Sequence, residues 1–273
     1  MSSACDSCPS KNGCTSQDSC PSLNRKKNLN IKKVIGVASG KGGVGKSFVT
    51  SALASKLAKQ GYKVGIMDAD ITGPSIPKAF GLKGMLAGTE DNKIIPMDTS
   101  KGIKVVSLNL LLRNEEDPVI WRGPVIAGVI QQFWTDVEWG TLDVLLIDMP
   151  PGTGDVPLTV FQSIPLDGIV LVSTPQDLVS MIVAKAKNMA QKMNISILGL
   201  VENMSYIKCP HCDEKISLFG DDELLAKVAD EAGITILDRL PLDTAATSLV
   251  DGGKAEEIGD GILDNTVKTI MGI

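Results

Sequence analysis

The stretch "SGKGGVGKS", Ser39 to Ser47, decides the fold. It fits G-x-x-x-x-G-K-[ST], with Gly40, Gly45, Lys46 and Ser47 at the fixed places and Gly42, Gly43 and Val44 completing the loop. Before it, "KKVIGVAS" reads as a buried strand. After it, "KSFVTSALASKLAKQG" reads as a helix whose Phe48, Val49, Ala52, Leu53 and Leu57 share a face before Gly61 ends it. A strand, a glycine-rich turn and a helix in that order suit an anion. The glycines let the backbone wrap it, the helix N-terminus points N–H groups at it, and the Lys46 ammonium neutralises charge. Ser47 is placed to ligate Mg²⁺. A plain glycine-rich turn would account for neither Lys46 nor the carboxylates described below.

Outward from that loop the texture repeats. "YKVGIMDAD", "LDVLLIDMP", "LDGIVLVSTP", "ISILGLVENM" and "ITILDRLP" read as further strands. Helical stretches are expected at Asp155 to Ser163, Asp177 to Met193, Asp221 to Glu231, and Glu256 to the C-terminus. Near-continuous apolar strands alternating with helices predict an α/β fold, a mostly parallel sheet with helices on both faces. Residues 81–120 break the pattern with Gly, Lys, Asp and Pro and are expected to be a loop-rich insertion with a short hairpin. Residues 1–30 have almost no large apolar side chains and are expected to form a flexible Cys-rich segment ahead of one nucleotide-binding domain over 31–273.

Bulk composition narrows the function classes. The 273 residues are 43% hydrophobic, enough for a continuous core, and the net charge is -5, which disfavours nucleic acid as a partner. No apolar run approaches the roughly 18 residues of a membrane helix, and the N-terminus is polar, so a cytoplasmic protein without membrane attachment is expected. In that reducing compartment the six cysteines point to metal ligation or thiol chemistry more than to disulfides.

Three carboxylates end strands: Asp68 and Asp70 in "MDADITGPSIP", and Asp148 in "LLIDMPPGTGD". In open parallel sheets the carboxyl ends of the strands form the ligand crevice. One carboxylate is expected to reach Mg²⁺ through water and another to orient an attacking water. Gly152 and Gly154 give the following loop freedom to move. Asn203, at the end of "ILGLVEN", is an amide able to read a base edge and is equally an ordinary turn residue.

Lys41, in "GKGGVGKS", makes the loop similar to the deviant Walker A form of the MinD, ParA and nitrogenase iron protein group, the SIMIBI type. More closely, "ASGKGGVGKS", "DADITGPSIP", "WRGP" at Trp121 to Pro124, "DMPPGTGD" and "NMSYIKCPHC" together resemble the Mrp family, also called ApbC or the Nbp type, which are ATP-dependent iron-sulfur cluster carriers. The resemblance runs from about Lys32 to the C-terminus. It implies that Lys41 reaches across a dimer to the partner's nucleotide, that Lys46 and Ser47 hold phosphate and Mg²⁺, and that Asp70 positions the hydrolytic water. It also implies that Asp148 is the Walker B acid and that Asn203 reads the adenine edge. Phe48 departs from the family pattern, which usually has a small residue there. Its ring is expected to face the hydrophobic layer or the nucleotide's flank, away from Mg²⁺.

The thiols fall into two sets. Cys209 and Cys212 lie in "CPHC" beside the sole histidine, His211. A redox dithiol would need a helix for the first thiolate to cap, and the following "DEKISLFG" reads as a turn and a strand. A closed zinc site wants four ligands, and His211 lies between the cysteines where its ring would point away from a shared metal. Two chains related by a two-fold axis would instead offer four thiolates to one 4Fe-4S cluster, and the role implied for Lys41 asks for the same homodimer. Zinc on the same tetrathiolate is the alternative. The other set, Cys5, Cys8, Cys14 and Cys20, is spaced C-x2-C-x5-C-x5-C and could close round one further cluster, with zinc or no stable metal as the alternatives. Some members of the family carry C-x13-C-x2-C-x5-C; here the fourth cysteine, Cys20, follows the shared core instead of preceding it.

The resulting expectation is a slow homodimeric ATPase, with ATP, Mg²⁺ and an iron-sulfur cluster, that delivers the cluster to apo iron-sulfur proteins. A positioning ATPase of the MinD and ParA type and a zinc-bridged regulatory dimer are the rival expectations. The C-terminal "DGILDNTVKTIMGI" lacks the basic stripe that a membrane-binding tail would need.

Overall fold

The structure is a computed structural model that describes residues 30–70, 75–91, 93–111, 123–152, 154–175, 179–209, 211–218 and 224–273. The four N-terminal cysteines, Trp121 and Arg122 lie outside the described residues.

In chain order, β1 (Asn30–Ser39) leads through the glycine loop to α1 (Lys46–Lys59), then β2 (Val64–Asp68) and the single-turn α2 (Ile76–Ala79). Four short strands follow: β3 (Ala87–Gly88), β4 (Ile94–Ile95), β5 (Met97–Asp98) and β6 (Lys104–Ser107). Next come α3 (Gly123–Thr135), β7 (Thr141–Asp148), α4 (Asp155–Ser163), β8 (Gly168–Ser173), α5 (Val179–Lys192) and β9 (Ile197–Lys208). The chain closes with β10 (Lys215–Ser217), α6 (Leu224–Ala232), β11 (Ile236–Pro241), α7 (Thr244–Asp251) and α8 (Asp264–Met271).

Nine strands form the main sheet in the order β10-β9-β8-β1-β7-β2-β6-β5, with β11 also paired to β9. Every pairing is parallel except β5 with β6 and β10 with β9. Successive strand residues feed opposite cores, as the pleat requires. In β7, Val144 and Leu146 join Val49, Leu53 and Leu57 of α1 and Val267 of α8, while Leu145 and Ile147 join Phe133 of α3 and Phe161 of α4. The mostly parallel α/β sheet, covered on both faces, is therefore present.

Two expectations need correction, and two helices are additional to them. Residues 81–120 do contain a minimal hairpin, β3 with β4, but they also carry β6, which pairs with β2 as a full member of the main sheet. Its four residues are too short to show a period, yet Val105 and Val106 are fully buried. The helix expected from Glu256 onward begins only at Asp264. Glu256 sits in a 3-10 turn, Ala255–Glu257, and accepts from the Lys101 N–H and the Thr99 hydroxyl, which ties the turn to the loop before β6. Finally, α3 and α7 had no counterpart in the pattern; "GPVIAGVIQQFWT" opens on Gly-Pro and is rich in β-branched residues, which weakens its helical signature.

Register aligns the functional positions along one edge. Asp68 of β2 stands opposite Asp148 of β7, Val37 of β1 is also opposite Asp148, Ser39 is opposite Val172 of β8, and Ser173 is opposite Glu202 of β9. The glycine loop, the three carboxylates and Asn203 thus gather at the carboxyl edge of the sheet. Alone among these strands, β9 runs well past that edge.

Candidate functional site

The loop between β1 and α1 turns on two left-handed glycines, Gly43 (φ 79°) and Gly45 (φ 78°), a conformation that costs an L-residue about 1 kcal/mol or more. Together with Ser39, Gly42, Val44, Asp70, Ser75 and Pro151, the residues Gly43 to Phe48 line a cleft of 320 Å³. Gly40 and Lys41 are half-buried at its approach, and the Lys41 carbonyl accepts from the Ser39 hydroxyl.

Beneath the cleft lies a buried charge cluster. Asp148 is 0% exposed; its Oδ2 is 2.7 Å from Lys46 Nζ and accepts from the Ser47 hydroxyl at 2.6 Å, while its Oδ1 accepts from the Thr50 hydroxyl at 2.7 Å. Lys46 Nζ is also 3.4 Å from Asp70 Oδ2. One cation therefore serves two strand-end carboxylates, with a hydroxyl beside it. Thr50 escaped notice in the sequence, although its place one helical turn after Lys46 puts it on the same face.

Asp68 does not line the cleft. Its Oδ2 accepts from Ser107 at 2.9 Å and its Oδ1 from the Asp70 N–H at 3.1 Å, so it braces the turn that presents Asp70. Burial pushes its carboxyl well above the ordinary range, with the Asp148 charge adding to the effect, and Lys46 and Ser107 only partly opposing it. Because the folded state holds this proton to a higher pH than the unfolded chain, Asp68 subtracts stability as pH rises above the ordinary carboxylate range near 4. Asp68→Asn is thus expected to melt at a higher temperature than the parent at pH 8, and the gain should shrink by pH 4. Melting temperatures of both proteins across that range check this.

Gly152, after Asp148, has φ 88°, and its N–H donates to Ser39 O at 2.8 Å, docking this loop against the phosphate loop. Gly154 has φ -77° and is simply the residue before α4.

Asn203 is buried behind the loop. Its Nδ2 donates to Val44 O at 2.9 Å, and a Cβ on Gly45 would lie only 2.2 Å from that nitrogen. A second cleft, of 230 Å³, is lined by Phe48, Leu240, Pro241, Asp243, Ala246 and the 258–262 loop. Phe48 lines both clefts and packs against the α1-side core. The residues Leu240 to Asp243 were not singled out in the sequence; their "LPLD" carries no pattern that distinguishes it from a strand end and helix cap.

Far along β9, Cys209 and Cys212 sit at the tip of the hairpin made with β10. The Cys209 N–H donates to Glu214 O at 2.9 Å and the Asp213 N–H to Cys209 O at 3.0 Å, closing the turn. A strand, not a helix, follows the pair, which removes the cap a redox dithiol needs. Both thiols are free, Cys209 half-buried and Cys212 exposed. The N–H groups of His211 and Cys212, and then the Cys212 thiol, all turned toward the Cys209 sulfur, hold its pKa below the usual thiol range. His211 is exposed. Among the described residues no group of three or more His, Cys, Asp or Glu side chains is gathered to hold a metal ion.

With this geometry in place, known proteins supply the context. The model of the ParA family described as NUBPL iron-transfer P-loop NTPase matches residues 30–271. The chain belongs to this family. An iron-sulfur cluster carrier protein of Clostridium perfringens is 51% identical over 231 residues, covering 82% of this chain and 81% of the relative. One from Methanocaldococcus jannaschii is 46% identical over 254 residues, covering 91% and 87%. Among solved structures, a nucleotide-binding protein of Archaeoglobus fulgidus in complex with ADP superposes with a TM-score of 0.75 at 46% identity, covering 84% of this chain and 90% of that one. The cell division ATPase MinD of Pyrococcus furiosus, at 20% identity and a TM-score of 0.63, shares the fold over 87% of this chain and 98% of its own. Membership of this family of P-loop NTPases agrees with the phosphate loop between β1 and α1.

Proposed function

We propose that this protein is an ATP-hydrolysing iron-sulfur cluster carrier that holds its cargo between two copies of the chain on Cys209 and Cys212. The observation that carries the reading is the pair of free, adjacent thiols at the tip of a hairpin whose first strand, β9, passes the phosphate loop at Asn203. Two thiolates are half of a four-ligand set, and a two-fold dimer completes it. The names of the close relatives, carrier and transfer proteins for iron-sulfur clusters, support the same cargo. They favour it over a positioning ATPase, whose likeness is one of fold alone.

On the nucleotide side, the Gly42 to Ser47 backbone would wrap the phosphates and Lys46 would turn from Asp148 and Asp70 to the terminal ones. The Ser47 hydroxyl, with Asp148 behind it, fits Mg²⁺, which when bound neutralises phosphate charge. Asp70, on the cleft wall, would orient the water, and Asp68 would hold Asp70 in place. The second cleft would take the base, with Phe48 against it, Asn203 would read the base edge, and Lys41 would complete the partner's site across the dimer. Such sites turn over slowly when a conformational step limits them. Phe48→Thr should weaken ATP binding about tenfold, equivalent to ~1.4 kcal/mol of lost contact. A calorimetric titration giving equal affinities would mean that the ring belongs only to the core. The Cys5, Cys8, Cys14 and Cys20 set is assigned to a second cluster on each chain.

Transfer tests the whole reading. Protein reconstituted without oxygen should pass its cluster to an apo-acceptor, with a rate that depends on ATP, and Cys212→Ser should not. Equal transfer by the variant would remove the role assigned to this pair.

A further inference from the structure

Two separate contacts join the nucleotide side of the molecule to the thiol hairpin, and both run through β9. Midway along it, Asn203 is 3% exposed and donates to Val44 O, in the space that Gly45 leaves by having no Cβ. The next residue, Met204, adopts φ 54°, a left-handed conformation that a non-glycine side chain holds only when its surroundings fix it. Its terminal methyl lies within 3.6 Å of the same Gly45 position. Past this irregularity, where the pairing with β11 shifts register between Glu202 and Tyr206, β9 runs on to Lys208, and Cys209 follows.

The outer half of the strand is also held as a unit. Tyr206 pairs with Ser217 of β10 and Pro241 of β11, and its carbonyl accepts from the Leu242 N–H at 2.8 Å. The Lys215 ammonium lies 4.5 Å from the Tyr206 ring centroid, and Lys208 pairs with Asp213 at 2.9 Å. A displacement at Asn203 is therefore carried along a braced ribbon instead of being absorbed in a loop.

We propose that Asn203 is the positioning residue through which a nucleotide in the phosphate loop restrains the Cys209/Cys212 hairpin. Phosphate binding fixes the loop backbone, including the Val44 carbonyl, and so fixes the amide bound to it. The amide fixes Met204 and the ribbon beyond. Coupling of this kind is reciprocal: whatever nucleotide does to the hairpin, ligation of the thiols does to nucleotide affinity. The inference rests on reading the thiol pair as the cargo site, and it assigns to that site a control by the nucleotide.

The test uses full-length, metal-free protein. The rate of iodoacetamide alkylation at Cys209 and Cys212 is followed by mass spectrometry of the peptide, without nucleotide and with MgADP raised to a saturation verified by titration for each variant. In the parent protein MgADP should slow alkylation about fivefold, within the usual range of such couplings. In Asn203→Asp, which keeps the side chain's size and loses the N–H donor, the ratio should fall toward one. A purely structural role would alter stability without moving that ratio. Hydrogen exchange of residues 204–217 in the parent protein gives a second measure that needs no variant, and slower exchange with MgADP is expected. Unchanged or faster alkylation with MgADP, unchanged exchange, or the same ratio in Asn203→Asp would each overturn the proposal; the last would move the coupling to the Tyr206 and Leu242 contact. Because no metal is present, these outcomes are separate from whether the pair carries iron.

Discussion

Replacing Lys46 with Ala should abolish nucleotide binding and also lower the melting temperature by about 10 °C. The two effects have one cause. Lys46 is 6% exposed and its ammonium is the cation beside Asp148, which is fully buried. Among the described residues the carboxylate would then keep the Ser47 and Thr50 hydroxyls, and removing one partner of a buried ion pair costs about 3 kcal/mol. For a domain of this size each kcal/mol is worth roughly 2–4 °C. If the buried charge is the cause, adding Asp148→Asn to Lys46→Ala should recover much of the lost stability, although not the binding. Calorimetric melting of the two single variants and the double variant separates these terms. Additive losses would show that Lys46 and Asp148 do not act as a pair.

A second large effect is expected from one methyl group. Gly45→Ala places a Cβ 2.2 Å from the Asn203 amide nitrogen at a backbone φ of +78°. Neither neighbour can yield cheaply, because Asn203 is buried and tied to Val44, and the left-handed backbone is itself strained for alanine. The variant should lose at least about 2 kcal/mol of stability and bind ATP more than a hundredfold more weakly, since the loop must open to admit the methyl. The corresponding change at Gly43 meets nothing within 4 Å and incurs only the conformational cost, so Gly43→Ala should retain much more of the affinity. Side-by-side titrations with a fluorescent ATP analogue check both; equal losses at the two positions would refute the steric account.

How far the sequence reached depends on whether the signal was local. The strand, loop and helix of the phosphate site are contiguous, and their boundaries were legible from apolar runs and glycines. The carboxylates could be placed because strand ends in parallel sheets converge. What could not be read were contacts between distant segments. Asn203 meets Val44 across 159 residues, and Thr50 meets Asp148 across 98. Nothing in "LVENMSY" says that its asparagine supports a phosphate loop, just as nothing in "LPLD" says that it walls a cleft with Phe48. Asp68 and Asp70 look alike in sequence. Only the fold separates them, turning Asp70 into the cleft and Asp68 onto Ser107 beneath it. The short β6 and the Gly-Pro start of α3 show the same limit in secondary structure, because tertiary burial holds elements whose local pattern is weak.

The thiol pair marks where sequence and structure bear on one question together. Ligand counting asks for a second chain, and the hairpin presents its two sulfurs side by side at an exposed tip, where another copy could approach. Iron and acid-labile sulfide counted per dimer, after reconstitution without oxygen, test this central claim most directly. The account predicts an additional four irons and four sulfides for each pair of chains in the parent protein relative to Cys209→Ser and Cys212→Ser, together with loss of the bridged dimer in both variants. Equal iron and sulfide in the parent and these variants, or zinc at one ion per dimer in place of iron, would contradict it.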